Sequence, residues 1–354
     1  MKHHIKFEKH VQIARILSPL TGFTPQTQAV ERRKDPLLNR WCRINVERAN
    51  RPKSKAGDST VSQLVESSAK NCPFCPEHIL TSTPKFPEDL LPEGRLRVGE
   101  AVVVPNLFAF AQHHAVVVLA KEHYLPLNEF RPELILNGLK ASIKYLEAVR
   151  ARNPEIRYGS INWNNLPTAA ASMLHPHLQV IADDVPTHYL SESIASSEEF
   201  YQKHGASYWL DLIEVERELG DRYIADIGES SWLSSFSSLG NNELQGIVKA
   251  SNFFEMTDRQ LSDYSMGLSK MLEGYQRIGV QAFNLSFYSG PLDVNTPSFS
   301  VHSRMISRPD VKNFQTADTG FMERLHDEIV VETLPEEVAS RVRVSISQAP
   351  AGRS

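Results

Sequence analysis

The 354 residues predict an α+β fold built from a duplicated unit, on three observations. Strand, helix, strand, loop and strand follow one another in the first half, and the same order returns in the second. Polar landmarks repeat with it: His123 precedes His175 by 52 residues, and Ser251 precedes His302 by 51. A hydrophobic content of 41% is enough for two cores, or for one large one. The units are expected to occupy 1–190 and 191–354.

The first 60 or so residues are polar and turn-rich, with little periodicity. Within 31–53, Trp41, Ile44 and Val46 predict one short strand among many arginines. The motif NCPFCPEH and a Pro-rich loop follow, then strand-like runs at 96–105 and 114–120. Leu136, Leu139, Ile143 and Leu146 recur at helical spacing over 132–149, and Pro154 ends that pattern. A strand at 156–163 leads through an Ala-rich loop into LHPHLQVIADD, where His175 and His177 lie two apart and share a strand face. In the second half a strand is expected at 244–250. Thr257 and Gln260 have capping-box spacing ahead of a helix with Leu261, Leu268, Leu272 and Tyr275 on one stripe. Strands at 280–288 and across FSVHSRMI complete the repeat.

A formal net charge of -4 gives no bulk electrostatic case for a nucleic-acid or membrane partner. No apolar run approaches the roughly 20 residues that span a bilayer, and MKHHIKFEKH lacks the apolar core of a secretory signal. A soluble, cytoplasmic protein is expected. Three cysteines, two of them close together, do not make a disulfide framework.

Cys72 and Cys75 form a Cys-x-x-Cys pair, which presents two thiolates from one turn. His123 and His175 would complete an S2N2 set suited to tetrahedral Zn2+. His78, His113 and His114 are rival ligands on spacing alone. A redox dithiol would need a thioredoxin-like βαβ context, which is missing here. Cys42, with no partner cysteine left, reads as an ordinary buried thiol. A closed four-ligand shell leaves no position for activated water, so the metal's expected role is architectural. His177, on the same strand face as His175, is then free to attack phosphorus as a neutral imidazole. Gln179 is the next residue on that side, and Ser172 precedes the histidines; both would donate to phosphoryl oxygens.

Four stretches carry a family resemblance: residues 33–52 (RKDPLLNRWCRINVERANRP), CPFC, PNLFAF with HHAVVVLAKEHYLPL, and SMLHPHLQ. In this order they resemble galactose-1-phosphate uridylyltransferase and its relatives in the histidine-triad superfamily, which include ADP-sugar and dinucleoside-tetraphosphate phosphorylases. The resemblance implies two fused histidine-triad repeats and a homodimer. It assigns Cys72, Cys75, His123 and His175 to zinc, makes His177 the nucleotidylated residue and gives Gln179 and Ser172 contacts to phosphate. Arg48 and Arg51 match a basic pair near the nucleotide phosphates, and Asn106 and Asn164 match nucleotide-site positions. The implied reaction moves a nucleoside monophosphate group between a nucleoside diphosphate sugar and a sugar 1-phosphate. Phosphorolysis by inorganic phosphate, or nucleotide binding without catalysis, are the alternatives.

The chain also departs from the family. Leu178 stands where a glycine is usual, and the small-residue stretch before the site reads PTAAAS. In place of a second H-x-H the chain has His302-Ser303-Arg304, with Ser289 where a further histidine is expected, so no second metal is predicted. The hexose-binding segment across 312–328 matches poorly.

Overall fold

The computed structural model describes residues 3–51, 61–311 and 317–347. From the N-terminus, β1 (Glu8–Ser18) and β2 (Thr24–Lys34) form a hairpin, β3 (Trp41–Ile44) pairs with its second strand, and α1 (Val61–Ala69) leads into the cysteine turn. The first unit comprises β4 (Leu96–Val98), β5 (Ala101–Pro105), β6 (His113–Val118), α2 (Pro132–Arg152), β7 (Tyr158–Asn165) and β8 (His177–Asp183). Two helices, α3 (His188–His204) and α4 (Tyr208–Leu219), come next. The second unit comprises β9 (Tyr223–Ile227), β10 (Ser230–Leu233), β11 (Leu244–Val248), α5 (Asp258–Arg277), β12 (Phe283–Tyr288) and β13 (Val301–Ser307). It is followed by α6 (Phe321–Leu325), β14 (Ile329–Val331) and α7 (Pro335–Ser347).

The two units share one sheet. Its ten strands run β4-β5-β6-β8-β7-β12-β13-β11-β10-β9, which reads as a palindrome about the antiparallel β7–β12 seam. At that seam Asn162 faces Ser286. Gln179 pairs with Asn162 and Val116, while Arg304 pairs with Ser286 and Gln245. The register therefore makes Arg304 the counterpart of Gln179, His302 that of His177 and Ser300 that of His175. Counting along the chain had set His302 against His175, two residues out, because loops of unequal length enter the count and ladder pairing does not.

The Val-rich strands β5 and β6 are buried on both faces, as β-branched runs in a covered sheet should be. One face carries α2 and α5, and a single core runs under both, from Leu119, Leu178 and Trp163 to Phe287, Leu285 and Met305. Each helix comes close to the sheet at a glycine. A Cβ on Gly138 would fall 2.2 Å from Leu119, and one on Gly267 2.2 Å from Trp232. Thr257 and Gln260 form the expected capping box, and α5 starts at Asp258.

The N-terminal segment departs from expectation. The expected short strand is present as β3, but β1 and β2 ahead of it pair over eleven residues each and, with β3 and β14, make a second sheet of four strands. Ten of the eleven residues of β1 are exposed. A strand exposed on both faces needs no alternation of apolar and polar residues, so it leaves little periodicity to read. No helix among the described residues is long and apolar enough to cross a membrane.

Candidate functional site

Cys72 and Cys75 lie on the turn after α1, with the Cys75 N–H donating to the Cys72 carbonyl. His78 donates from Nδ1 to the same carbonyl at 3.1 Å, so it braces the turn and is not one of the grouped ligand atoms. His123 follows β6, and His175 sits two residues before β8. The Sγ and ring-nitrogen atoms of Cys72, Cys75, His123 and His175 all lie within 4.8 Å of one another. Three sulfur-to-Nδ1 separations measure 3.7, 3.5 and 3.7 Å. Tetrahedral zinc with ordinary bond lengths would place sulfur and nitrogen about 3.6 Å apart, so the four residues fit that ion.

The far side of each imidazole is also arranged for a metal. His175 donates from Nε2 to the Ala120 carbonyl at 2.8 Å, and His123 Nε2 meets Ser68 Oγ at 2.9 Å. Both bonds leave Nδ1 with its lone pair facing the sulfurs. Burial lowers the His175 pKa to about 4, which keeps it neutral and able to ligate. Burial, with Cys72 alongside, raises the Cys75 thiol to about 11, a penalty on two neighbouring thiolates that a divalent cation would reverse.

His177 opens β8 and is 5% exposed. Its Nδ1 donates to the His175 carbonyl at 2.8 Å, so Nε2 carries the free lone pair. Burial lowers its pKa, favouring the neutral ring. Phe74, from between the cysteines, lies against this ring with centroids 5.4 Å apart. Gln179 is oriented by a residue that the sequence had offered only as a rival ligand. His114 accepts the Phe110 N–H at Nδ1 and so donates from Nε2 to Gln179 Oε1 at 2.9 Å. The amide nitrogen of Gln179 is left facing outward as a donor.

Asn106 borders this group, with its Nδ2 3.1 Å from His114 Nε2; both nitrogens are donors while Nε2 serves Gln179, and Asn106 is fixed instead through its Oδ1, which accepts the Phe108 N–H at 2.9 Å. The loop beyond it carries Leu107, Phe108 and Phe110, which are 70, 84 and 75% exposed beside a polar site. Asn164 shares the face of Asn162, the neighbour of Gln179. Ser172 is exposed on the loop into His175. Arg48 and Arg51 are elsewhere: they line a cavity with Asn241, Asp318 and Glu332 that does not include His177, and Arg51 pairs with Glu332 at 3.0 Å. Residues 312–316 of the segment expected to bind hexose lie outside the described residues.

The second unit repeats the histidine without the opening. His302 donates from Nδ1 to the Ser300 carbonyl at 2.9 Å, as His177 does to His175. Trp209 of α4 stacks on it at 3.8 Å, Tyr288 and Phe299 close the sides, and its exposure is zero. In the place of His114 and Gln179, Glu243 accepts from Arg304. Ser300 stands where a ligand histidine would be, and among the described residues the only group of ligand type is the one in the first unit.

No family model matches the chain. It is 32% identical to an uncharacterised protein of Archaeoglobus fulgidus over 341 residues, covering 96% of this chain and 98% of that one. Identity to ADP-glucose phosphorylase of Arabidopsis thaliana is 26% over 77% of this chain and 82% of the enzyme. For galactose-1-phosphate uridylyltransferase of Haemophilus influenzae it is 21%, with the same coverage. The crystal structure of the Arabidopsis phosphorylase with bound ADP-glucose superposes with a TM-score of 0.69 at 20% identity, over 89% of this chain and 98% of that one. With the palindromic sheet, the Cys2His2 group and the H-x-H-x-Q strand in place, the chain matches the galactose-1-phosphate uridylyltransferase-like proteins of the histidine-triad superfamily in sequence and in fold.

Proposed function

We propose that the protein is a nucleotidyltransferase that works through a covalent nucleotidyl-histidine on His177, with a nucleoside diphosphate sugar as donor. The observation that carries this reading is the His177 Nδ1–H bond to the His175 carbonyl at the open end of the strand, which leaves on Nε2 the lone pair that a nucleophile needs. In the first step Nε2 attacks the α-phosphorus. The bond from that phosphorus to the bridging oxygen breaks, and a sugar 1-phosphate leaves. In the second step an oxygen of a phosphate-bearing acceptor attacks the same phosphorus, the P–Nε2 bond breaks and the imidazole returns neutral. Gln179, held by His114, and Asn164 would donate to the phosphoryl oxygens as charge builds, with Ser172 at the rim.

Cys72, Cys75, His123 and His175 would hold zinc, which supplies a fixed seat for the strand that carries His177. The exposed Phe108 and Phe110 offer apolar rings to a nucleobase at the mouth of the site. Within one chain Arg48 and Arg51 stand in a separate cavity. In the homodimer we propose, they would serve as a phosphate-binding pair for the neighbouring copy. The reading treats 1–190 as the catalytic unit and 191–354 as its non-catalytic repeat, in a cytoplasmic protein.

Inorganic phosphate as acceptor is the second reading, favoured by the similarity to an ADP-glucose phosphorylase. One experiment tests both. Incubation with ADP-glucose or UDP-glucose should add one nucleoside monophosphate to the intact mass, mapped to His177. A chase with inorganic phosphate should release ADP or UDP if the protein is a phosphorylase. A chase with a hexose 1-phosphate should instead regenerate a nucleotide sugar. Absence of any adduct with either donor would overturn the reaction.

A further inference from the structure

The Asn164 amide has two ends, and a phosphate oxygen is served only if the nitrogen end faces it. Across the seam, Asn284 of β12 is paired with Asn164 of β7 and donates from Nδ2 to its Oδ1 at 2.7 Å. The same Nδ2 donates to the Ala169 carbonyl at 2.8 Å. On its other side, Asn284 Oδ1 accepts from Arg308 Nη1 at 2.8 Å, and Arg308 Nη2 donates to Asp318 at 2.7 Å. A guanidinium has donors only, so Asn284 must turn its oxygen to Arg308 and its nitrogen to Asn164. Asn164 must then turn its oxygen to Asn284, which leaves its own Nδ2 for the open side.

The Ala169 carbonyl adds a second constraint. It belongs to the loop into Ser172, where Leu166 has φ +71° and Ala170 φ +63°, conformations that favour glycine. The loop holds them without glycine. The Leu166 side chain is buried with Ala282 and Val311 of the second unit, and Asn284 ties down the carbonyl between the two strained residues.

We infer that Asn284 and Arg308 are positioning residues for the transfer reaction: the second unit, though it has no open histidine of its own, sets the polarity of Asn164 and the shape of the Ser172 loop. The inference rests on the proposed function for its setting. It also predicts an ordering that a simple bracing role would not give. In Asn284→Asp a carboxylate, able only to accept, would draw the Asn164 nitrogen toward itself and present the Asn164 oxygen to the substrate. In Asn284→Ala the amide is merely released. Adduct formation on His177 with saturating ADP-glucose should therefore slow roughly tenfold or more in Asn284→Asp and by less in Asn284→Ala. Thermal stability should run the other way, because the carboxylate replaces the Asn284 hydrogen bond to Arg308 with an ion pair, whereas alanine loses it. Arg308→Lys should retain more activity than Arg308→Met, since an ammonium is also a pure donor.

Equal rates in Asn284→Asp and Asn284→Ala, or a slower Asn284→Ala, would overturn the inference. If the wild-type protein forms no adduct, the proposed reaction fails but this inference is still read, by calorimetry, from the affinity for ADP in the same order of variants. Failure of wild-type protein to bind ADP would overturn both.

Discussion

His177 and His302 occupy matching positions in two copies of one unit, each donating Nδ1–H to the carbonyl two residues earlier. What separates them lies outside the strand. Over His177 the sheet face is bordered by Phe74 and the loop with Phe108 and Phe110, and Gln179 has its amide nitrogen free. Over His302 the same face is roofed by Trp209 and Tyr189, and Arg304 is committed to Glu243. The orientation of the imidazole thus comes with the repeat itself, whereas access to it depends on what the chain lays across the sheet. A histidine set for chemistry is not by that fact a chemical histidine.

The strongest test of this contrast replaces each histidine in turn. His177→Ala should reduce nucleotidyl transfer on the order of 10⁴-fold to 10⁶-fold, as loss of a covalent nucleophile does. His302→Ala should leave adduct formation within about threefold in the folded fraction, by the general rule that a residue touching neither substrate nor nucleophile adds little to the barrier. Comparable losses in the two variants would dissolve the contrast.

Removing the roof comes next. Trp209→Ala should cost about 3–5 kcal/mol, read from the urea midpoint, because a fully buried indole is lost. It should not create a second labelled histidine, since Arg304 remains paired to Glu243. Mass mapping of a nucleotide to His302 would mean that access alone separates the units.

A smaller effect is expected at the Cys2His2 group, which has no counterpart in the second unit among the described residues. Ser68→Ala removes the partner of His123 Nε2 and should weaken zinc about 10-fold to 100-fold, measured by competition with a chromophoric chelator. Unchanged affinity would show that the orientation of His123 is set elsewhere.

The smallest effect concerns how the roof is held. Glu216 of α4 is fully buried, and burial raises its pKa to about 7 despite the Arg222 guanidinium at 2.9 Å. Arg222 also serves Glu336, which is held below the ordinary carboxylate range although burial opposes this, because Arg33 binds it as well. Glu216 thus keeps a proton between about pH 4.5 and 7 that the unfolded chain has released, so stability falls as pH rises through that window. Near pH 7 the slope should be about 0.7 kcal/mol per pH unit, and Glu216→Gln should flatten it in denaturation series. An unchanged slope would move the titration to another group.

The Cys2His2 group was legible because a Cys-x-x-Cys turn is local and His123 and His175 both lie beside strand ends. The duplication was legible from element order, since both long helices carry apolar residues at helical spacing. The N-terminal hairpin was not, because Val11, Ile13 and Leu17 are exposed and no buried face imposes alternation on β1. The role of His114 depends on which strand β6 pairs with, and spacing could not separate it from a ligand. Asn284, and Arg308 behind it, were invisible for a stronger reason: the partners of Asn284, Asn164 and Ala169, are more than a hundred residues away, and only the seam brings them together. For α4 the sequence does carry a signal, in Tyr208, Trp209, Leu212 and Ile213 on one stripe with Gly220 as C-cap.

The seam also governs what can be cut. Parting the chain between its halves would bare β7 on one piece and β12 on the other, each a row of unpaired backbone donors and acceptors ready to recruit any passing strand. Each half is therefore the other's protective edge. A split version of this protein would regain its site only by rebuilding that one ladder, and would otherwise be lost to aggregation.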